Sequence, residues 1–289
     1  MFVVMGVTGQ VGGVVAETLL AAGEPVRAVV RSGDKGRVWA DRGCEIAIVP
    51  AITDGRALAE AFKGADGVFL MTPPNYDPTP GFPDTHEAAA AIKAAIAQSR
   101  PGRVVFLSTV GAHVEEFNLL NNSAITEAML RSTGAPVAIL RAAWFMENAA
   151  WDVAAAREGR FETYLSPIDH RIDMVSVRDI GRTAAELVQG SWAGQRVVEL
   201  RGPARYSAQD EAAAFAAALG HPVLVAAAPH DHWEANFRAQ GMTYPEPRIR
   251  MLDGFNEGWI DFEGGDAEQR TGSITFAEVL EGLVERSPS

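Results

Sequence analysis

Gly6, Gly9 and Gly12 stand three residues apart in the run GVTGQVG, directly after the apolar segment Phe2 to Met5. Without side chains at these positions the backbone can turn tightly and bring its amides close to a bound pyrophosphate. From Val11 onward, Val15, Leu19 and Leu20 recur at helical spacing. The turn therefore opens a helix whose first N–H groups and partial positive charge favour phosphate. The residues expected to cradle it are Gly6, Thr8, Gly9, Gln10, Val11 and Gly12. The spacing is GxxGxxG and not the GxGxxG of the usual dinucleotide fingerprint. Its weight comes from its place between a strand and a helix, the alternative being an ordinary glycine-rich connection.

A second group lies at the end of the next apolar run. Pro25 to Val30 reads as strand two and ends at Arg31, with Lys35 four residues on. At this point NAD usually meets an acid that accepts from the ribose hydroxyls, whereas a 2'-phosphate calls for cations. Arg31 can grip a phosphate in a bidentate way and Lys35 adds a point charge, so NADP(H) is favoured over NAD(H). The alternative is a solvated basic pair on a loop, and Asp34 beside it would weaken the preference.

Further candidates follow from strand ends. Thr72 and Pro73, after GVFLM, and Ser108, Thr109, Gly111 and His113, after RVVFLST, fall at the carboxyl edge of the sheet, where ligands of open α/β sheets bind. Ser108 joins the cofactor-binding set. The segment PPNYDPTPGFPD holds five prolines and reads as a stiff flap. In it, Tyr76 and Phe82 are candidates for substrate contact or for plain surface packing. Ser108 with His113 lacks a glycine-flanked nucleophile turn, so a strand-edge serine near cofactor is preferred. His230 and His232 have no third ligand of convincing spacing, and Asp231 with Glu234 reads as a helix start, so no metal is assigned. Cys44 reads as a buried structural thiol and His86 as a surface residue.

These groups need a scaffold, and the pattern of elements supplies one. Glu45 to Val49 reads as strand three. Asp54 caps a helix to Lys63 with Leu58 and Phe62 inward, and Asp84 with Glu87 has capping-box spacing at the start of a helix to Ala97. Thr126 to Arg131 continues a helix that Gly134 ends, and Pro136 to Phe145 reads as one sixth strand running into Met146, Glu147 and Asn148. Strands alternating with helices predict an α/β fold with a doubly wound parallel sheet. A strand and a helix from Asp179 follow. VVELRG, a helix capped by Ser207 with Asp210, VLVAAA and a last helical group are expected to form a smaller carboxyl-terminal α/β lobe over the cleft. The expected division is a cofactor-binding core over 1–150, and over 151–289 the remaining core elements interleaved with that lobe in one unit.

Composition bounds the partners. In a chain of 289 residues a formal charge of -12 argues against nucleic acid or an anionic membrane as ligand. One cysteine excludes an internal disulfide, and no leader or apolar run of spanning length is read, so the expectation is a soluble cytoplasmic protein that binds small molecules.

GVTGQVG, VVRS ending at Ser32, GADGVFLMTPP from Gly64, TEAMLRSTGAPVAILRAAWFMEN from Thr126 and SVRDIGRTAAELV from Ser176 together resemble the NmrA-like branch of the atypical short-chain dehydrogenase/reductases over nearly the whole chain. The resemblance implies a Rossmann-type fold in which the glycine turn and the strand-two arginine bind NADP(H). It also implies that residues after strands four and five border the nicotinamide, and that Trp144, Phe145 and Asn148 border the substrate pocket; Tyr76 joins that set from the reading of the flap alone. The family includes NADPH-dependent quinone and dye reductases and NADP(H)-sensing regulators.

Departures from the family are informative. Standard short-chain reductases pair a tyrosine with a lysine four residues on, which makes the tyrosine a general acid. Here Tyr76, Tyr164, Tyr206 and Tyr244 are followed at that spacing by Pro80, Ile168, Asp210 and Arg248. Many relatives carry a lysine or histidine four before the helix glutamate, where Ser123 stands before Glu127. The usual Gly-Asp after strand three is replaced by Pro50 and Ala51. No acid is assigned, with Ser108, Thr109 and Tyr76 as candidates.

The expected function is hydride transfer from NADPH to a small apolar acceptor such as a quinone, whose anion is a weak enough base to collect a proton from water, in preference to an unactivated ketone. The alternative is a non-catalytic NADP(H) sensor acting through a protein partner, and a homodimer is a further expected form.

Overall fold

The apolar runs of the amino-terminal half become strands buried between two layers of helices. A computed structural model of the chain describes residues 1–286. Strands β1 (Phe2–Val4), β2 (Val26–Val30), β3 (Glu45–Ile48), β4 (Gly67–Leu70), β5 (Val104–Thr109) and β6 (Val137–Ala142) alternate with five helices. These are α1 (Gln10–Ala21), α2 (Gly33–Asp41), α3 (Gly55–Phe62), α4 (Pro83–Ser99) and α5 (Asn121–Arg131). The second half holds shorter elements. They are β7 (Trp144–Phe145), a 3-10 turn over Met146–Trp151, α6 (Val153–Arg157), β8 (Arg160–Thr163), β9 (Ile172–Val175) and α7 (Val177–Gln189). There follow β10 (Gln195–Arg201), β11 (Arg205–Tyr206), α8 (Ala208–Leu219), β12 (Leu224–Ala227), a 3-10 turn over His230–His232 and α9 (Trp233–Ala239). The described chain ends with α10 (Glu246–Glu257), β13 (Glu268–Thr271) and α11 (Phe276–Arg286).

The main sheet runs β13-β10-β6-β5-β4-β1-β2-β3, with every neighbouring pair parallel. This is the expected Rossmann-type doubly wound sheet. The strand order reverses between β1 and β4, which leaves a crevice beyond their carboxyl ends. β1, β4 and β6 are buried at every residue, as a parallel sheet covered on both faces requires. Side chains alternate between the layers. Val4, Ala28, Phe69, Val105 and Leu140 pack with Val15 and Leu19 of α1 and Ile180 and Leu187 of α7. Val3, Val29, Val68, Val104 and Ile139 pack with Leu58 and Phe62 of α3, Ile92 and Ile96 of α4 and Leu130 of α5. Leu19 and Phe62 expose nothing, and each such burial stabilises the fold by about 2 kcal/mol. A third core, from the 3-10 turn at Met146 through α11, covers the carboxyl edge of the sheet.

Several elements differ from the sequence expectations for physical reasons. The segment after Arg31 is α2 and not a loop, anchored by the buried Trp39. Helix α4 starts at Pro83, which suits the first helical position, behind a left-handed Phe82. Asp84 and Glu87 therefore lie inside the helix and form no capping box. Helix α7 begins at Val177 with Ser176 as its cap. Asp179 instead accepts the Ser273 and Ile274 backbone N–H groups at 2.9 Å each. Asp231 does not cap α9, whose N-cap position is held by His232. The expected sixth strand breaks at Ala143. Ala142 is the last residue of β6 opposite both Thr109 of β5 and Leu200 of β10, and beyond that point β7 pairs with β9 instead. VVELRG does not belong to the covering lobe, because β10 pairs with β6 and β13 adds outside it. Two caps stand as expected: Asp54 accepts from the Ala57 N–H at 2.9 Å, and Ser207 with Asp210 closes a full capping box.

Candidate functional site

The glycine turn is built for close backbone approach. Gly6 has φ +69°, and a Cβ there would lie 2.4 Å from Met71 Sδ; a Cβ on Gly12 would lie 2.3 Å from the Gly6 carbonyl oxygen. Both positions need glycine for the first turn of α1 to sit against the end of β1. Gly9, extended at the N-cap position, supplies no side-chain cap, while its own N–H bonds the Gly6 carbonyl at 2.9 Å. The N–H groups of Gln10, Val11 and Gly12 find no acceptor among the described residues, and Thr8, Gly9 and Gln10 are exposed. Unpaired amides at a helix start, facing the crevice, fit a diphosphate.

Arg31 leaves the end of β2, adjacent to β1, and Lys35 lies in the first turn of α2. Both are exposed, and neither is ion-paired among the described residues. Asp34 pairs with Arg37 at 3.3 Å, so it does not neutralise Arg31. These residues fit a phosphorylated dinucleotide: the glycine turn would hold its diphosphate, and Arg31 with Lys35 a 2'-phosphate.

At the ends of β4 and β5 the candidates part company. Thr72 is half-buried and Pro73 exposed, just past β4. The Ser108 hydroxyl donates to Glu127 Oε1 at 2.6 Å, and Arg141 donates to both oxygens of Glu127 at 3.0 and 2.8 Å. Arg141 also pairs with Glu263. Burial would lower the Arg141 pKa, but hydrogen bonds and charge from Glu127 and Glu263 raise it, so the guanidinium stays charged. Ser108 is 4% exposed and its proton is engaged in this network. His113 makes none of these hydrogen bonds; it lies close enough to Glu263 to act on it electrostatically, and its Nδ1 is buried and unpartnered among the described residues. His230 pairs with Asp253 at 2.9 Å and not with His232. Among the described residues no group of three or more His, Cys, Asp and Glu is placed to hold a metal.

Beyond Thr109 and Ala143 opens a cavity of about 660 Å³ between the sheet edge and the third core. It brings together Tyr76, Thr109, Trp144, Phe145 and Asn148. Trp144 stands edge-on to Phe255, ring centroids 5.1 Å apart. Tyr76 from the flap meets Trp151 edge-on at 6.3 Å, with the Arg248 guanidinium 5.6 Å from its ring. Phe82 is not in the wall; it packs on Phe117. The covering lobe closes the far side with Tyr164, Leu165, Met251 and Leu252.

The wall of this largely apolar cavity also holds Asp152, Glu162, Glu211 and Arg248. Glu211 is 8% exposed, and its Oε1 has no hydrogen-bond partner among the described residues. Burial pushes its pKa up to about 8, with the nearby Asp152 charge acting in the same direction. Burial alone brings Asp152 to about 6. Glu211 lies in the first turn of α8, where the helix dipole favours the ionised form, yet desolvation wins. Burial and the Asp152 charge both favour the protonated, uncharged carboxyl. Sequence reasoning missed it, although a signal exists: the buried stripe of α8 is Ala208, Glu211, Ala212 and Phe215, and an acid interrupts it.

A glycine turn with unpaired amides, a pair of exposed cations after the second strand and an aromatic cavity over the sheet edge fit a dinucleotide-binding protein. The model of the NmrA-like family matches residues 1–250, and the chain belongs to this family. It is similar to the NAD(P)H azoreductase of Xenophilus azovorans, 26% identical over 258 residues that cover 89% of this chain and 85% of that protein. It is also similar to the (4-alkanoyl-5-oxo-2,5-dihydrofuran-3-yl)methyl phosphate reductase of Streptomyces griseus, 31% identical over 228 residues covering 77% and 75%. Among solved structures, an NADPH-dependent quinone oxidoreductase of Escherichia coli complexed with NADPH superposes with TM-score 0.80 at 21% identity, covering 98% of this chain and 99% of that one. No helix among the described residues is long and apolar enough to cross a membrane.

Proposed function

We propose that this chain is an NADPH-dependent reductase that passes hydride to a small, conjugated, electron-poor acceptor of quinone type held in the cavity. The observation that carries the reading is the placement of an aromatic cavity of about 660 Å³ at the carboxyl edge of the sheet that bears the glycine turn. That volume suits a one- or two-ring acceptor. The names of the relatives support the class, since an azo bond, an oxo-dihydrofuran and a quinone are all conjugated acceptors.

The nicotinamide, when bound, supplies the hydride. The protein supplies position and surroundings. Gln10, Val11 and Gly12 hold the diphosphate by their N–H groups, and Arg31 and Lys35 select the 2'-phosphate over a bare ribose. Thr72, Pro73 and Ser108 border the cofactor, with Ser108 held by Glu127. Trp144 and Phe145 present ring faces and edges that stack a flat acceptor, Asn148 offers it an amide, and the exposed pair Tyr76 and Trp151 borders it at the rim. Ordering the acceptor beside the hydride donor lowers the barrier by several kcal/mol. The test is steady-state NADPH oxidation against a panel of quinones, azo dyes and conjugated enones. Turnover with at least one class at micromolar acceptor is expected. NADPH binding without turnover on any of them would overturn the reading in favour of a sensor that acts through a protein partner.

A further inference from the structure

The cavity contains a group that reduction chemistry needs and that the cofactor does not bring. We propose that Glu211 is the hydrogen-bond and proton donor of the cavity, receiving the acceptor's oxygen and delivering the single proton its reduction consumes. The proposal rests on the reductase reading above and names the acid missing from it.

Three observations carry it. Glu211 is part of the cavity wall. Its Oε1 is buried without a hydrogen-bond partner among the described residues, so no protein group competes for the proton the carboxyl carries, and the 8% of the residue that stays exposed is what borders the cavity. The surroundings also keep the carboxyl in the form that can donate, since burial and Asp152 raise its pKa to about 8. The elements packed on α8 bring Arg157 on α6 and Glu278, Glu281, Glu285 and Arg286 on α11; β12 brings no charged residue. Glu162 and Arg248 border the same cavity. Of the charged groups around it, Asp152 is the one that acts on Glu211. Arg157 donates to the Val284 carbonyl at 2.8 Å.

The step balances. A quinone becomes a hydroquinone by gaining one hydride, which carries two electrons, and one proton. As hydride adds to the conjugated system, an electron pair moves onto the acceptor oxygen. The O–H bond of Glu211 breaks, a new O–H forms on that oxygen, and Glu211 remains as carboxylate until water reprotonates it after product leaves. The cofactor is oxidised and the acceptor reduced. An acid that is neutral at working pH and placed at the oxygen gives up its proton as basicity develops there, the arrangement general acid catalysis requires. Asp152 acts as a positioning residue whose charge adds to burial in keeping Glu211 protonated.

The test uses the full chain with menadione as probe. Binding is read by quenching of tryptophan fluorescence in the absence of NADPH, and reduction by single-turnover NADPH oxidation, both from pH 6 to pH 10. In the wild type both are expected to weaken above about pH 8 as Glu211 ionises. Glu211→Gln keeps shape and a donor but has no proton to give. Its reduction rate is expected to fall about 100-fold at pH 7 and to lose the pH break, with NADPH affinity unchanged. Asp152→Asn is expected to move the break to lower pH, which a purely structural role would not do. A Glu211→Gln rate within twofold of wild type, with the same pH profile, overturns the proposal and leaves the reductase reading intact. A pH break in menadione binding that Glu211→Gln abolishes, with no turnover on any acceptor, leaves Glu211 a hydrogen-bond donor to the bound quinone and overturns proton delivery together with the reductase reading. Tighter binding of an aromatic cation such as N-methylquinolinium above pH 8, with menadione indifferent to pH, would make the site a cation-holding carboxylate and also overturns it.

Discussion

The carboxylate of Asp77 accepts the backbone N–H of Tyr244 at 2.5 Å, and that of Thr243 at 2.7 Å, joining parts of the chain 166 and 167 residues apart. This pair of bonds ties the proline-rich flap to the segment that leads into α10, and so holds Tyr76 at the rim of the cavity. Burial would raise the Asp77 pKa, but the hydrogen bonds from Thr243 and Tyr244 lower it overall. Asp77→Ala is expected to raise KM for the acceptor several-fold and to leave NADPH affinity unchanged. The sign of the pH effect follows from the lowered value: the tie is present at neutral pH and is lost only as acid protonates Asp77. KM measured between pH 5 and pH 8 should therefore show no break from this residue.

Arg31 is free to meet phosphate because Asp34 is taken up by Arg37. Arg31→Ala is expected to cost about 1.5 to 3 kcal/mol of NADPH binding, the loss of one charge-assisted contact, and to leave NADH nearly untouched. Calorimetry with both cofactors measures this; an unchanged NADPH-to-NADH affinity ratio would remove Arg31 from the site.

Trp144 is the position at which acceptor binding is expected to separate from cofactor binding. It lines the cavity and packs edge-on to Phe255, while the glycine turn lies on other elements. Trp144→Ala is expected to lower the reduction rate at least tenfold with NADPH affinity unchanged, because a stacking wall is lost. Trp144→Phe should recover most of the rate, which stopped-flow NADPH oxidation would read.

Much of this was legible because it is local. A glycine turn between a strand and a helix, buried strands of the right length and a serine capping box each announce themselves within a few residues, and they lie where expected. The break at Ala143 was not legible, because it depends on where β5 and β10 run out as partners. The same holds for β10, whose pattern suits a strand in either sheet. Ser108 reads from sequence as a hydroxyl at a catalytic edge. Its partner Glu127 comes from α5 and is itself held by Arg141 of β6, and only the folded packing engages the serine proton. Glu211 hid for the same reason: an acid in a helix's first turn reads as a dipole partner until the buried face of that helix is known.

Glu211 also leaves a mark on stability that does not depend on any substrate. Its folded pKa of about 8 lies above the ordinary glutamate value of 4.5 that an unfolded chain would show. Between those two values the native state binds the proton that the unfolded state has released. Stability must therefore fall as pH rises through this window, with this residue's share levelling off above about pH 8. The slope from one such proton is at most about 1.4 kcal/mol per pH unit. Below the unfolded value both states hold the proton and the term vanishes. Glu211→Gln removes the ionisation altogether, so its unfolding free energy should decline less from pH 5 to pH 8 than that of the wild type. Asp152, also raised by burial, contributes a similar decline nearer pH 6 in both proteins and cancels in the difference to first order. Urea unfolding of the two proteins at pH 5, 6.5 and 8 measures the gap. It should widen with pH, and two parallel profiles would mean that Glu211 is ionised in the native state and has no proton to give at neutral pH.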